Sequence, residues 1–164
     1  MELLSARLSA LSPSETFAMA QKSNELKAQG IDVINMSVGE PDFNTPDHIK
    51  EAAKKAVDDN FSFYSPVAGY PDLKKAISEK LLKENELEYS PAQIVVSSGA
   101  KQSLCNVILS IIDRGDEVII PAPYWVSYPE MVKLAEGTPV FIYAGIAQDF
   151  KITPTQLEEA ITPN

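Results

Sequence analysis

Residues 94–120, IVVSSGAKQSLCNVILSIIDRGDEVII, decide the fold class. Ile94–Ser97 is a short apolar, β-branched run, which reads as a buried strand. Ser98-Gly99 turns the chain, and residues 100–112 carry a helical apolar pattern. Asp113-Arg114-Gly115-Asp116 reads as a turn, and Glu117–Ile120 as the next strand. Strand, helix and strand make one βαβ unit, whose two strands should run parallel with a right-handed crossover.

The alternation continues outward from this unit. Upstream, Ser12-Pro13-Ser14-Glu15 has the form of a capping box with proline at the first helical position. The helix it opens should run to Gly30, a C′ glycine. Residues 31–37 (IDVINMS) alternate as a short strand. Thr45-Pro46 announces a helix whose Ile49, Ala52, Ala53, Ala56 and Val57 share a face. Residues 61–70 (FSFYSPVAGY) have no helical period and read as an ordered aromatic loop. Pro71 opens a helix with Leu73, Ala76, Ile77 and Leu81 on one side. Downstream lie a loop (PAPYWVSYP), a helix to Glu136, a strand near 139–143 and a helix started by Thr153-Pro154. The expected class is α/β, with a mostly parallel sheet and helices on its faces. A sheet of so few strands leaves apolar faces and edges open, so the organisation suggests an incomplete domain, poorly soluble or marginally stable by itself.

Composition narrows the functions. The 164 residues carry a net charge of −9, which argues against nucleic acid and against anionic membranes as partners. Residues 1–20 lack a signal-peptide core and no apolar run would span a bilayer, which reads as cytoplasmic. One cysteine, Cys105, excludes an internal disulfide and reads as a buried structural thiol. One histidine, His48, reads as an exposed first-turn residue. A Cys/His zinc site is thereby excluded, and no metal site is expected. No nucleophile elbow is present, so hydrolase chemistry has no foothold.

Four segments could carry chemistry. At Gly99-Ala100-Lys101 a strand gives way to a helix, where backbone N–H groups and the helix dipole would hold an anion; the same glycine could serve the turn alone. Trp125, the only tryptophan, follows a strand end, where open α/β sheets place ligands. It could stack on a planar ring or plug the edge of the core. Gly39, in VGEPDF, could offer a backbone N–H to a carboxylate or simply punctuate a turn. Tyr64 could donate its hydroxyl to a phosphate or pack a loop or an oligomer interface.

The order of the segments is more telling than any one of them. GEPDF at 39–43, YSPVAGYPDLKKAI at 64–77, SSGAKQSL at 97–104 and GDEVIIPAPYWVSYPEM at 115–131 closely resemble class I aminotransferases. These are fold-type I enzymes dependent on pyridoxal 5′-phosphate, and the nearest look is to the bacterial aspartate and prephenate aminotransferase subgroup. The resemblance covers essentially the whole chain but less than half of a complete family member. It implies an N-terminal arm and small-domain segment over residues 1–45, and an incomplete cofactor-binding large domain over 46–164. It gives Gly39 to the substrate α-carboxylate and Tyr64 to the phosphate of the neighbouring subunit's cofactor. Gly99, Ala100 and Lys101 become the phosphate turn, and Trp125 the stacking aromatic. Lys101 also becomes a partner for the side-chain carboxylate of an acidic substrate. The Schiff-base lysine lies beyond Asn164 under the same resemblance, so no catalytic residue is assigned and the chain alone is expected to be inactive. The complete protein is expected to be a homodimer that moves an amino group from an amino acid, aspartate first, to a 2-oxo acid, 2-oxoglutarate first. A same-fold lyase and a non-catalytic cofactor- or phosphate-binding module are the rival readings.

Overall fold

The computed structural model describes residues 4–164. The chain divides into two compact units, one built from Met1–Gly39 with Leu104–Asn164 and the other from Glu40–Ser103. Helices α1 (Ala6–Ser9), α2 (Glu15–Ala28), α6 (Ser127–Leu134) and α7 (Pro154–Ala160) belong to the first. Strands β1 (Glu117–Ala122) and β2 (Thr138–Tyr143) belong to it too. Helices α3 (Asp47–Asp58) and α4 (Pro71–Asn85) belong to the second. Helix α5 (Ala100–Ile111) begins in the second unit and ends in the first.

In the first unit β1 and β2 pair in parallel, from Glu117 opposite Thr138 to Ala122 opposite Tyr143. Helix α6 is their crossover. The core is small: Ile120 and Ala122 of β1, Met131 and Val132 of α6, and Ile142 and Ala144 at and beyond the end of β2 are buried. Val132, 1% exposed, is its centre.

This pairing corrects the sequence reading. The expected partner of residues 117–120 was Ile94–Ser97, but residues 94–97 form no ladder. Ile94 is buried, Val95 is 67% exposed, and the Val96 N–H donates to the Ala68 carbonyl at 3.0 Å. Residues 31–37 are likewise outside any strand. Alternation describes a strand's faces, whereas a strand exists only when a neighbour accepts its backbone bonds.

Helix ends follow local chemistry more closely. Beyond α2, the Ile31 N–H donates to Leu26 O and the Gly30 N–H to Lys27 O, with Gly30 at φ +80°. This is the double bond pattern of a glycine-terminated helix. Asn60, at φ 60°, ends α3 with the same two bonds. Thr153 caps α7 and its partner Gln156 closes the box. The expected box at Ser12 does not form: α2 starts at Glu15, Ser14 is its N-cap residue without a side-chain cap bond, and the Ser12 N–H goes elsewhere. Thr45 does not cap α3 either, since Pro46 holds that position. Pro71 does open α4. His48 is exposed on the first turn of α3, and Cys105 is half-buried on α5 rather than fully buried.

Candidate active site

In the second unit, Gly99 stands at φ +88° immediately before α5. Only glycine enters that region without a steric cost. A Cβ at Gly99 would meet no atom within 4 Å, so conformation and not space selects the residue. The Gly99 N–H donates to the Ser97 carbonyl at 2.9 Å, so the turn uses that donor itself. The Ser98 N–H is taken by Gln102 Oε1. Beyond them α5 opens with Ala100 and Lys101. Both residues are exposed. The donor chemistry suits an anion held by backbone N–H groups and the positive end of the helix dipole. Gln102 escaped the sequence reading, although a glutamine four residues after a serine at a helix start was its available signal.

Tyr64 lies in the same unit on the aromatic loop. Its side chain is fully exposed, as is Val67, and Phe61 and Phe63 are largely exposed. Phe61 makes an edge contact with Tyr70, 5.9 Å between ring centroids.

In the first unit, Trp125 lies between the end of β1 and the start of α6. Its ring stands edge-on to Tyr128, with centroids 5.5 Å apart and planes at 87°. Tyr124 stacks on Phe141 of β2 at 5.0 Å and 14°. One aromatic therefore fixes the loop to the sheet, while Trp125 keeps 40% of its surface exposed. Stacking on a planar ligand needs an exposed ring on a fixed loop. Gly39 belongs to this unit. A Cβ there would meet nothing within 4 Å, and its φ lies outside the left-handed region. Neither backbone nor packing among the described residues requires glycine at that position.

Two carboxylates, Glu130 in the first turn of α6 and Glu136 just beyond its end, are held below the ordinary value. Burial pushes Glu130 upward, but hydrogen bonds from Lys133 Nζ and the Ser12 N–H, with the Lys133 charge, leave its carboxyl below the ordinary 4.5. Glu136, at φ 65° after α6, accepts from Arg114, whose hydrogen bond and charge hold its carboxyl low as well. A depressed carboxyl stabilises the folded state above the ordinary value, and that stability is lost as pH falls through the folded value. The urea midpoint should therefore drop on acidification below pH 4.5, with less of a drop in Glu130→Gln. An acid titration of the unfolding midpoint measures this, and parallel curves for the two proteins would remove Glu130 from the account.

Among the described residues no group of three or more His, Cys, Asp or Glu side chains gathers as a metal site. No helix among them is long and apolar enough to cross a membrane.

A sequence profile described as aminotransferase class I and II matches residues 31–164. The chain belongs to this aminotransferase family. It is 55% identical over 163 residues to the aspartate/prephenate aminotransferase of Cereibacter sphaeroides, covering 99% of this chain and 41% of that protein. It is 53% identical over 161 residues to an aspartate aminotransferase of a Bacillus species, covering 98% of this chain and 41% of the relative. Among solved structures, the Thermus thermophilus aspartate aminotransferase with maleate superposes with a TM-score of 0.94 at 45% identity, covering 99% of this chain and 43% of that one. The aspartate aminotransferase of Rhizobium meliloti gives 0.93 at 42% identity, covering 99% and 41%. This aminotransferase chain thus spans about two fifths of the length of the relatives it matches. Its fold is that of the corresponding part of fold-type I aspartate aminotransferases.

Proposed function

We propose that this chain supplies the phosphate-binding turn and the ring-stacking aromatic of a pyridoxal-phosphate-dependent transaminase. The observation that carries the reading is the Gly99 turn at the start of α5, whose donor chemistry fits the phosphate. When bound, the cofactor supplies an electron sink for the bonds at the substrate's Cα. The residues bind and orient. The opening N–H groups of α5 at Ala100 and Lys101 hold the phosphate, with Gly99 shaping the turn. Trp125 stacks on the ring and keeps water from that face. Gly39 offers its N–H to the substrate α-carboxylate. The Lys101 ammonium pairs with a second carboxylate, which makes acidic amino acids the substrate class. The maleate held by the Thermus thermophilus relative, a dicarboxylate, supports that choice. Aspartate and 2-oxoglutarate are the substrates of this reading, and prephenate belongs with it through relatives such as that of Cereibacter sphaeroides.

The assembly proposed is a homodimer, with the hydroxyl of Tyr64 reaching the phosphate in the neighbouring subunit. The bare aromatic loop around Tyr64 supports this, because apolar surface of that kind is usually covered. Residues 1–45 act as arm and small-domain segment, and 46–164 as part of the cofactor domain. A cytoplasmic location goes with the reading.

The test is a titration with pyridoxal 5′-phosphate, read by the emission of Trp125. Binding should quench it, and Trp125→Ala should weaken affinity measured by dialysis by about tenfold, the equivalent of a stacking contact. Lys101, the one amine among the residues assigned here, is given to the substrate carboxylate and not to an imine with the cofactor, so no keto acid should accumulate from aspartate and 2-oxoglutarate. Steady turnover by the 164-residue chain would contradict the assignment, and absence of any quenching would remove the cofactor from it.

A further inference from the structure

Glu130 does something that neither the family match nor the proposed chemistry requires. It sits in the first turn of α6, three residues after the helix begins and five after Trp125. One carboxylate oxygen accepts the Ser12 N–H at 2.9 Å, and the other accepts Lys133 Nζ at 2.8 Å. Its side chain is only 24% exposed. The bond to Ser12 joins residues 118 apart in sequence, so it fixes one segment against another and does not merely decorate a helix. The segment it fixes, Ser12–Glu15, runs alongside Tyr124, Val126 and Ser127 and encloses with them a cleft of about 290 Å³. The residues on both sides of Trp125 in the chain therefore face this segment.

We propose that Glu130 is a positioning residue, a latch that holds Ser12–Glu15 against the Tyr124–Ser127 loop and so fixes the presentation of Trp125. The bond is charge-assisted and one partner is a backbone N–H, a stronger class of hydrogen bond than neutral pairs. Lys133 holds the carboxylate in the orientation that reaches Ser12. The loop is tied to the sheet on one side by Tyr124 on Phe141, and the N-terminal segment braces it on the other. The meaning of the latch for cofactor binding rests on the reading of Trp125 given above, but the latch itself does not.

The test uses the 164-residue chain without cofactor, because its sole tryptophan reports on the loop directly. Glu130→Ala should raise acrylamide quenching of Trp125 about twofold by opening the segment locally. It should also speed exchange of the Ser12 amide by about tenfold, as loss of one such bond implies. Glu130→Gln keeps an oxygen for the Ser12 N–H but loses the charge and the Lys133 pair, so it should restore both readouts in part. Should Glu130→Ala not fold, Ser12→Pro removes the donor and leaves the Glu130–Lys133 pair in place. It should raise quenching equally, and adding Glu130→Gln to it should change nothing further. Unchanged quenching in Ser12→Pro, or equal loosening by Glu130→Ala and Glu130→Gln, overturns the latch. If the variants loosen Trp125 as expected while pyridoxal 5′-phosphate leaves the unsubstituted chain's emission unchanged, the latch stands and the cofactor reading falls.

Discussion

Gly69→Ala is expected to destabilise the Glu40–Ser103 unit by about 3 kcal/mol, summing the backbone penalty and the overpacking cost. Two independent effects act at this one position. Gly69 stands at φ +100°, where an L side chain meets its own backbone. A Cβ there would also lie 2.6 Å from Val96 Cγ2 and 2.8 Å from Val96 Cβ. Rotation about χ1 could move the methyl, but it cannot move the Cβ of Val96, so the backbone must shift. The shift would break the Val96 N–H bond to the Ala68 carbonyl, which joins the aromatic loop to the stretch leading into the Gly99 turn. Urea unfolding of the chain measures the loss. A change below about 0.5 kcal/mol, the range of an ordinary surface substitution, would show that this close approach is not maintained in solution.

Ala100→Pro should cost more at the level of binding than of folding. Ala100 is the first residue of α5, the position where proline is tolerated because its missing N–H has no helical partner. The substitution therefore deletes one donor from the proposed phosphate turn and leaves the helix. A hydrogen bond to a charged group contributes about 1.5–3 kcal/mol, so affinity for pyridoxal 5′-phosphate should fall by about ten- to a hundredfold. Equilibrium dialysis gives the affinity, and far-ultraviolet circular dichroism confirms that the helix persists. Ala100→Ser, which keeps the N–H, should bind as the unsubstituted chain does. Equal affinity for the proline and serine variants would take the phosphate away from α5. Gly99→Ala makes a useful companion: it strains a turn with open space around it and should weaken both folding and binding modestly, by about 1–2 kcal/mol.

The two variants illustrate different kinds of legibility. The Gly99 turn could be read locally, since a glycine between an apolar run and an amphipathic helix already implies a strained entry and open N–H groups. The importance of Gly69 could not, because it comes from Val96, a residue 27 positions away in the chain. The tryptophan loop divides the same way. Its place after a strand, and its ring as a stacking surface, follow from PAPYWVSYP. Its fixation by Phe141 and Glu130 does not, since neither contact has a local signature.

What the sequence determined alone is what depends on neighbours within about one helical turn, namely the glycine that ends α2, the proline that opens α4 and the capped start of α7, together with what a linear pattern carries, the α/β class and the order of motifs that marks the family. What only the tertiary structure decided is partnership. Residues 117–122 pair with 138–143 and not with 94–97, residues 31–37 remain without a ladder, and the Ser12 amide serves Glu130 and not its own helix. The physical reason is common to all three. A backbone N–H or C=O states only that it needs a partner, and several segments can answer. The choice belongs to the packing that brings one of them within 3 Å, and that packing is a property of the whole chain.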